Sequence, residues 1–257
     1  MGTLVRSCSH AGVAFRAAIL LALFCLPANL RGSDSAVWQA ARELVQAALT
    51  SARAACSNQP ASAEAAWQLG RAYFEAGELA ETKQERAKLA ELGMAACRRG
   101  VELQSNCAGA HYYWGLNLGQ LARTKGIGAL RLVAPMRDHF QNALRLDERF
   151  DNGGSHRNLG YLFRDAPSWG SIGDRAKAKF HLQRAVELSP DYPENRLALL
   201  EGRVQWGERE LALKELAALE ELWPKAKARF TGPVWQVTWE DWDRLLAHLA
   251  KKVRKSG

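Results

Sequence analysis

The chain has 257 residues, of which 47% are hydrophobic, 24% are charged and only 8 are prolines, a composition that excludes a disordered, collagenous or multi-span membrane chain. Lys and Arg number 35 against 27 Asp and Glu, leaving a net charge of +8 that is scattered along the chain and names no partner by itself. The length suits one large core or two small ones.

Arg6, His10 and Arg16 precede an apolar run from Ala17 to Leu26, which Pro27 breaks and polar Asn29, Arg31, Ser33 and Asp34 follow. Such a run is shorter than the roughly 20 residues a spanning helix needs. Its pattern predicts a secretory signal peptide over residues 1–28 and export to the periplasm. Loss of Arg6 and Arg16 would take +8 down by 2, to +6. Cys25 is the one candidate for a lipid anchor, and bulky Phe24 before it argues against acylation. Of the remaining cysteines, Cys97 falls on a helix position expected to be buried, which leaves Cys56 and Cys107 as the expected bridge in an oxidising compartment. There is no CxxC and no Cys/His set at metal-ligand spacing, so neither a metal nor another cofactor is expected.

From Ala36 onward the apolar residues recur at three and four, as in Val37, Ala40, Ala41, Leu44, Val45, Ala48 and Leu49, the stripe of an amphipathic helix. The chain then reads as helix after helix. Four segments align, with the pairs Leu69-Gly70, Trp114-Gly115, Leu159-Gly160 and Leu199-Leu200 separated by 45, 45 and 40 residues. Each marks a first helix. A second helix follows and ends on a small or apolar residue three before a leucine: Gly100 and Leu103, Ala143 and Leu146, Ala185 and Leu188, Leu219 and Leu222. Pro190 and Pro224 stand two beyond their leucines, where they are expected to end the second helix.

This pattern resembles the tetratricopeptide repeat (TPR), a helix pair of about 34 residues that buries its apolar face only by stacking on neighbours. The expected fold is therefore all-α, a TPR-like helical-repeat solenoid of about four helix pairs plus flanking helices. One repeat domain would span 29–257, with repeats at about 63–107, 108–152, 153–192 and 193–226 and a C-terminal capping helix at about 238–254. The surplus over the family's period falls inside the units, at Ala76–Lys88, Ala122–Val133 and Asp165–Asp174, which would build a rim along one edge. The last insert, with Trp169, is expected to be an ordered loop anchored by its tryptophan.

First-helix positions one turn apart line the inner wall of such a stack. Read in register they are Trp67, Gln68, Arg71 and Phe74; Tyr112, Tyr113, Leu116 and Gln120; Arg157, Asn158, Tyr161 and Arg164; and Glu194, Leu197, Glu201 and Gln205. Interleaved aromatics and arginines suit an extended peptide, a partner helix or a small hydrophobic ligand with a carboxylate. Several of these, Tyr113 and Leu116 above all, would equally serve as packing between helices. Asp151, Gly153, Gly154 and Gly160 around one helix start, and Pro193, Glu194 and Asn195 at the equivalent place one unit later, form a structural motif in which Asp151 and Glu194 would cap helices. His111 belongs to the motif with Trp114 and Gly115; it stands 45 residues before His156, and packing is the expected role of both. An Arg157–Glu194 ion pair between adjacent units is expected.

Three segments, HYYWGLNLGQLA (111–122), FDNGGSHRNLGYLFRDAPSWGSIGD (150–174) and HLQRAVELSPDYPENRLALLE (181–201), together resemble the T-component family of tripartite ATP-independent periplasmic (TRAP) transporters. Ser155 and Gly170 depart from the prolines such loops carry. The resemblance implies a periplasmic protein that associates with the transporter's substrate-binding protein and helps hand over a hydrophobic or carboxylate ligand. A general envelope scaffold for peptides or proteins, without a transporter link, is the alternative. GIGALR at Gly126 is a lone glycine pair, and GxxxxGK[ST], HExxH and GxSxG are absent, so no enzyme is expected. Nucleic acid is not an expected partner, and the homo-oligomeric state stays open.

Overall fold

The computed structural model describes residues 36–255, so the signal-peptide reading lies outside the described residues. Among the described residues ten helices follow one another: α1 (Ala36–Asn58), α2 (Ala63–Glu78), α3 (Lys83–Leu103), α4 (Ala108–Ala122), α5 (Leu130–Leu146), α6 (Phe150–Asp165), α7 (Arg175–Leu188), α8 (Pro193–Gln205), α9 (Arg209–Arg229) and α10 (Pro233–Lys255), with a short 3-10 turn, Gly126–Ala129, before α5. No strand occurs among the described residues, and no helix among them is long and apolar enough to cross a membrane.

Local chemistry sets several boundaries. Ser62 caps α2 by accepting from the Ala65 amide at 3.1 Å, Thr82 caps α3 through the Glu85 amide at 3.1 Å, and Asp174 caps α7 through the Lys177 amide at 3.0 Å. Pro193 opens α8, where its missing N–H costs nothing. Pro224 does not end α9 as expected; the helix runs on to Arg229, and Pro135 is likewise accommodated inside α5. Both helices tolerate the lost bond because the flanking turns are held by packing, Ala226 and Trp223 in α9 and Val133 and Met136 in α5 being buried.

Helices pair as α2 with α3, α4 with α5, α6 with α7 and α8 with α9, and the first helices stack in turn, α2 on α4, α4 on α6 and α6 on α8. The small residue of each first helix is what lets its partner approach. A Cβ on Gly70 would collide with Cys97 Sγ, one on Gly115 would meet Phe140 at 2.7 Å, and one on Gly160 would collide with Leu182. The expected solenoid of four pairs with flanking helices is thus present. Beyond that expectation, α10 packs not only on α8 and α9 but also on α1, where Trp38 Nε1 donates to Glu240 Oε2 at 3.2 Å. The last helix therefore ties the end of the stack to its beginning.

Candidate binding surfaces

The inner row is largely filled by its own side chains. Trp67 lies flat on Tyr113 with centroids 5.6 Å apart, and Phe150 meets Trp67, Tyr112 and Tyr113 edge-on at 5.8, 5.3 and 6.3 Å. Phe74, Tyr112, Leu116, Tyr161 and Leu197 are buried. Arg71 is half-buried, its Nε on Glu75 Oε1 at 2.7 Å. Gln120 accepts from Arg86 Nη1 at 2.7 Å, while Gln68 is half-buried and Gln205 exposed. Position on a first helix is therefore a poor guide to exposure here, because Phe150 and the neighbouring first helices close over the aromatics.

At the centre lies a buried polar network. Arg157, 1% exposed, gives Nη1 to Asn195 Oδ1 at 2.9 Å and Nη2 to Asp151 Oδ2 at 3.0 Å, and its Nε is 3.3 Å from Glu194 Oε2. The expected Arg157–Glu194 pair is present. Tyr112 donates its hydroxyl to Asp151, and Asn158 Nδ2 bonds Gly154 O at 2.8 Å and Tyr112 Oη at 3.3 Å. Asn195 Nδ2 reaches Asn152 O at 2.9 Å and Ala185 O at 2.8 Å. Burial by itself lowers the Arg157 pKa; Glu194, then Tyr112, Tyr192 and Asp151, more than offset it and raise it above the ordinary value. Arg164 repeats the arrangement two turns on, with Glu201 at 2.9 Å and Asp165 at 2.6 Å, its guanidinium 5.1 Å over the Tyr161 ring. Burial pushes the carboxyls of Asp165 and Glu75 up, against the pull of Arg164 and Arg71.

Neither Asp151 nor Glu194 is a helix cap. Asp151, Asn152 and Gly153 take left-handed φ values of 51°, 58° and 73°, which turns the Asp151 carboxylate inward onto Tyr112 and Arg157. The N-cap of α8 is Tyr192, which makes no side-chain cap bond, and Glu194 points instead at Arg157. Gly154 leaves room for Tyr112, whose hydroxyl an added Cβ would strike. Gly115 and Gly160 seat α5 and α7, and Pro193 starts α8. Cys56, Cys97 and Cys107 are free thiols, so the expected Cys56–Cys107 bridge is not formed. Cys97 fills the space beside Gly70, and burial raises its thiol pKa well above the ordinary value.

An open surface lies at the insert edge. A cleft of about 620 Å³ is lined by Arg137 of α5, Phe163 of α6, Ile172 and Asp174 of the third insert, and Phe180 and His181 of α7. The insert is tied down by Asp174 N on Phe163 O at 2.8 Å and Gly173 N on Pro167 O at 3.1 Å. Trp169 does not anchor it: that ring is 93% exposed, and Phe180 beside the cleft is 60% exposed. Lys177 Nζ sits 5.4 Å over the Phe163 ring. Reading the inner wall alone overlooks this surface, whose signal is the pairing of a tryptophan in an insert with an aromatic at an outward helix position.

The same reading overlooks the partners of the two repeat histidines. His111 Nδ1 lies 3.2 Å from His139 Nδ1, and His156 Nδ1 lies 2.8 Å from His181 Nδ1. His139 also stacks on Trp114 at 4.2 Å, and His181 on Phe163 at 5.5 Å. Extending the alignment to the second helices exposes the signal, histidines 28 and 25 residues after the first. No group of three or more His, Cys, Asp or Glu among the described residues could hold a metal ion.

The family model "Regulator of microtubule dynamics protein 1-3" matches residues 30–156. A comparison with curated proteins finds no match. Among solved structures, a thermophilic TPR protein of Thermus thermophilus is 22% identical over 74% of this chain and 91% of its own, with a TM-score of 0.54. YrrB, described as a TPR protein with an unusual peptide-binding site, is 20% identical over 79% of this chain and 90% of its own, with a TM-score of 0.44. The likeness to the Thermus thermophilus protein, across nearly all of that chain, shows that this one has the fold of a TPR protein.

Proposed function

We propose that this protein is a non-enzymatic scaffold that binds a segment of a partner protein, and that the segment docks in the cleft at the insert edge. One observation carries the choice of surface: the inner row is occupied by its own aromatics and ion pairs, whereas the cleft of about 620 Å³ stands open, lined by exposed Phe180 and by residues 171–174 of the insert that carries exposed Trp169. Exposed aromatics at the margin of a cleft are what an apolar anchor residue of a partner would bury. Arg137 and Lys177 flank the same opening and suit a carboxylate on that segment.

Two narrower readings of the partner remain distinct. The resemblance of residues 111–122, 150–174 and 181–201 to T-components supports a periplasmic protein that meets the substrate-binding protein of a TRAP transporter. The match over residues 30–156 supports instead a scaffold related to regulators of microtubule dynamics. Crosslinking in the native cell followed by mass spectrometry of what co-purifies separates them, since each names a different class of partner. For the surface itself, Trp169→Ala with Phe180→Ala should reduce capture of that partner at least tenfold and leave helicity and melting temperature unchanged. Capture that survives the double substitution while Arg71→Ala abolishes it would return the site to the inner row.

A further inference from the structure

The two histidine pairs are built alike. In each, the first-helix imidazole is tied through Nε2, His111 to the Ser105 carbonyl at 3.3 Å and His156 to Glu148 Oε1 at 3.2 Å. A carbonyl and a carboxylate only accept, so Nε2 carries the hydrogen and Nδ1 presents a lone pair. That lone pair faces Nδ1 of a histidine on the second helix of the same unit. A metal-binding histidine has the same wiring: one ring nitrogen held by a carboxylate or carbonyl, the other directed at the ion.

We propose that each pair, His111 with His139 and His156 with His181, is a two-nitrogen clamp for a divalent transition-metal ion of the zinc or copper kind. With metal–nitrogen bonds of about 2.0–2.1 Å, nitrogens 2.8 and 3.2 Å apart subtend about 85° and about 100° at the metal, the first near the square-planar value and the second between square-planar and tetrahedral. A small tilt of the half-buried His139 or His181 ring brings the two lone pairs onto one point. The hydrogen now shared between the Nδ1 atoms moves to Nε2 of that ring, both imidazoles stay neutral, and no net proton is released. Water supplies the other coordination positions, and His181 opens on the insert-edge cleft, which gives an ion and its waters a way in. Around the second pair, Arg184 spends its charge on Glu148, with contacts of 2.8 and 3.0 Å. Because a clamp bridges the two helices of its unit, metal would fasten α4 to α5 and α6 to α7.

Calorimetric titration of the full chain with zinc at neutral pH in a non-coordinating buffer should show two equivalents more than the His139→Ala, His181→Ala double variant takes up. Each single variant should lose one. The two substituted rings are the less buried of each pair, and far-UV circular dichroism checks that the variants fold. Electron paramagnetic resonance of the unsubstituted protein with copper(II) gives a second readout that needs no variant, and two imidazole nitrogens per copper are expected. Undiminished zinc uptake by a folded double variant, or a copper spectrum showing a single nitrogen, overturns the proposal.

Discussion

Arg157 shows how a residue's type can be legible while its task is not. Its place on a first helix and its pairing with Glu194 follow from the repeat register, but nothing local says that two acids would enclose it. Asp151 reaches it only because three successive residues adopt left-handed φ, at 51°, 58° and 73°. Asn and Gly in the segment DNGG tolerate that conformation, yet the same letters read equally well as an ordinary helix entry. Arg157→Ala would leave Asp151 and Glu194 without the cation between them. We expect a loss of about 3–5 kcal/mol, the cost of breaking a buried pair from one side. Urea unfolding monitored by circular dichroism measures it; a loss below about 1 kcal/mol would mean that the network behaves like an exposed ion pair.

Element starts and stops are legible where a side chain caps a helix and illegible where packing overrides the local signal. Proline at position 224 reads as a stop, yet α9 continues through it because the helix is held by buried Trp223 and Ala226 on either side. Asp174 is the opposite case, an insert residue that ends the loop and starts α7 through the Lys177 amide. That hydrogen bond, then the Lys177 side chain, holds its carboxyl below the usual range. A depressed acid stabilises the fold above its unfolded pKa of about 4 and loses that contribution as pH falls through the lower folded value. Asp174→Asn keeps a capping oxygen and removes only the charge. Its melting temperature should therefore fall below the parent's at neutral pH, and the gap should shrink on acidification through and below the folded value, where the parent's carboxyl also becomes neutral. A gap independent of pH would show that the charge at this helix start contributes nothing.

The order of the helix pairs can be read from a repeat of Leu-Gly-like motifs, because a small residue at the crossing is a physical requirement of close approach. The closure of the ends cannot, since no local pattern records which distant helix a tail will touch. Its trace is the run Trp235, Trp239 and Trp242, one face of α10 too aromatic for a mere cap. Those rings pack with Tyr192 and Trp223 into a cluster of their own, while Val234 and Val237 join the core that includes Trp38 of α1. A stack of repeats held only by nearest neighbours frays independently at its two ends. Here α10 couples them, so disturbing one end should be felt at the other. Trp242, fully buried, lies far from α1 in sequence, and Trp242→Ala should cost about 3–5 kcal/mol, as for a large aromatic lost from a core. The distinguishing measurement is hydrogen exchange resolved by helix: protection should drop in α1 together with α9 and α10, while α4 and α5 change less. If α1 keeps its protection while α9 and α10 lose theirs, the bridge through Trp38 and Glu240 is a contact without consequence, and the molecule behaves as an open stack.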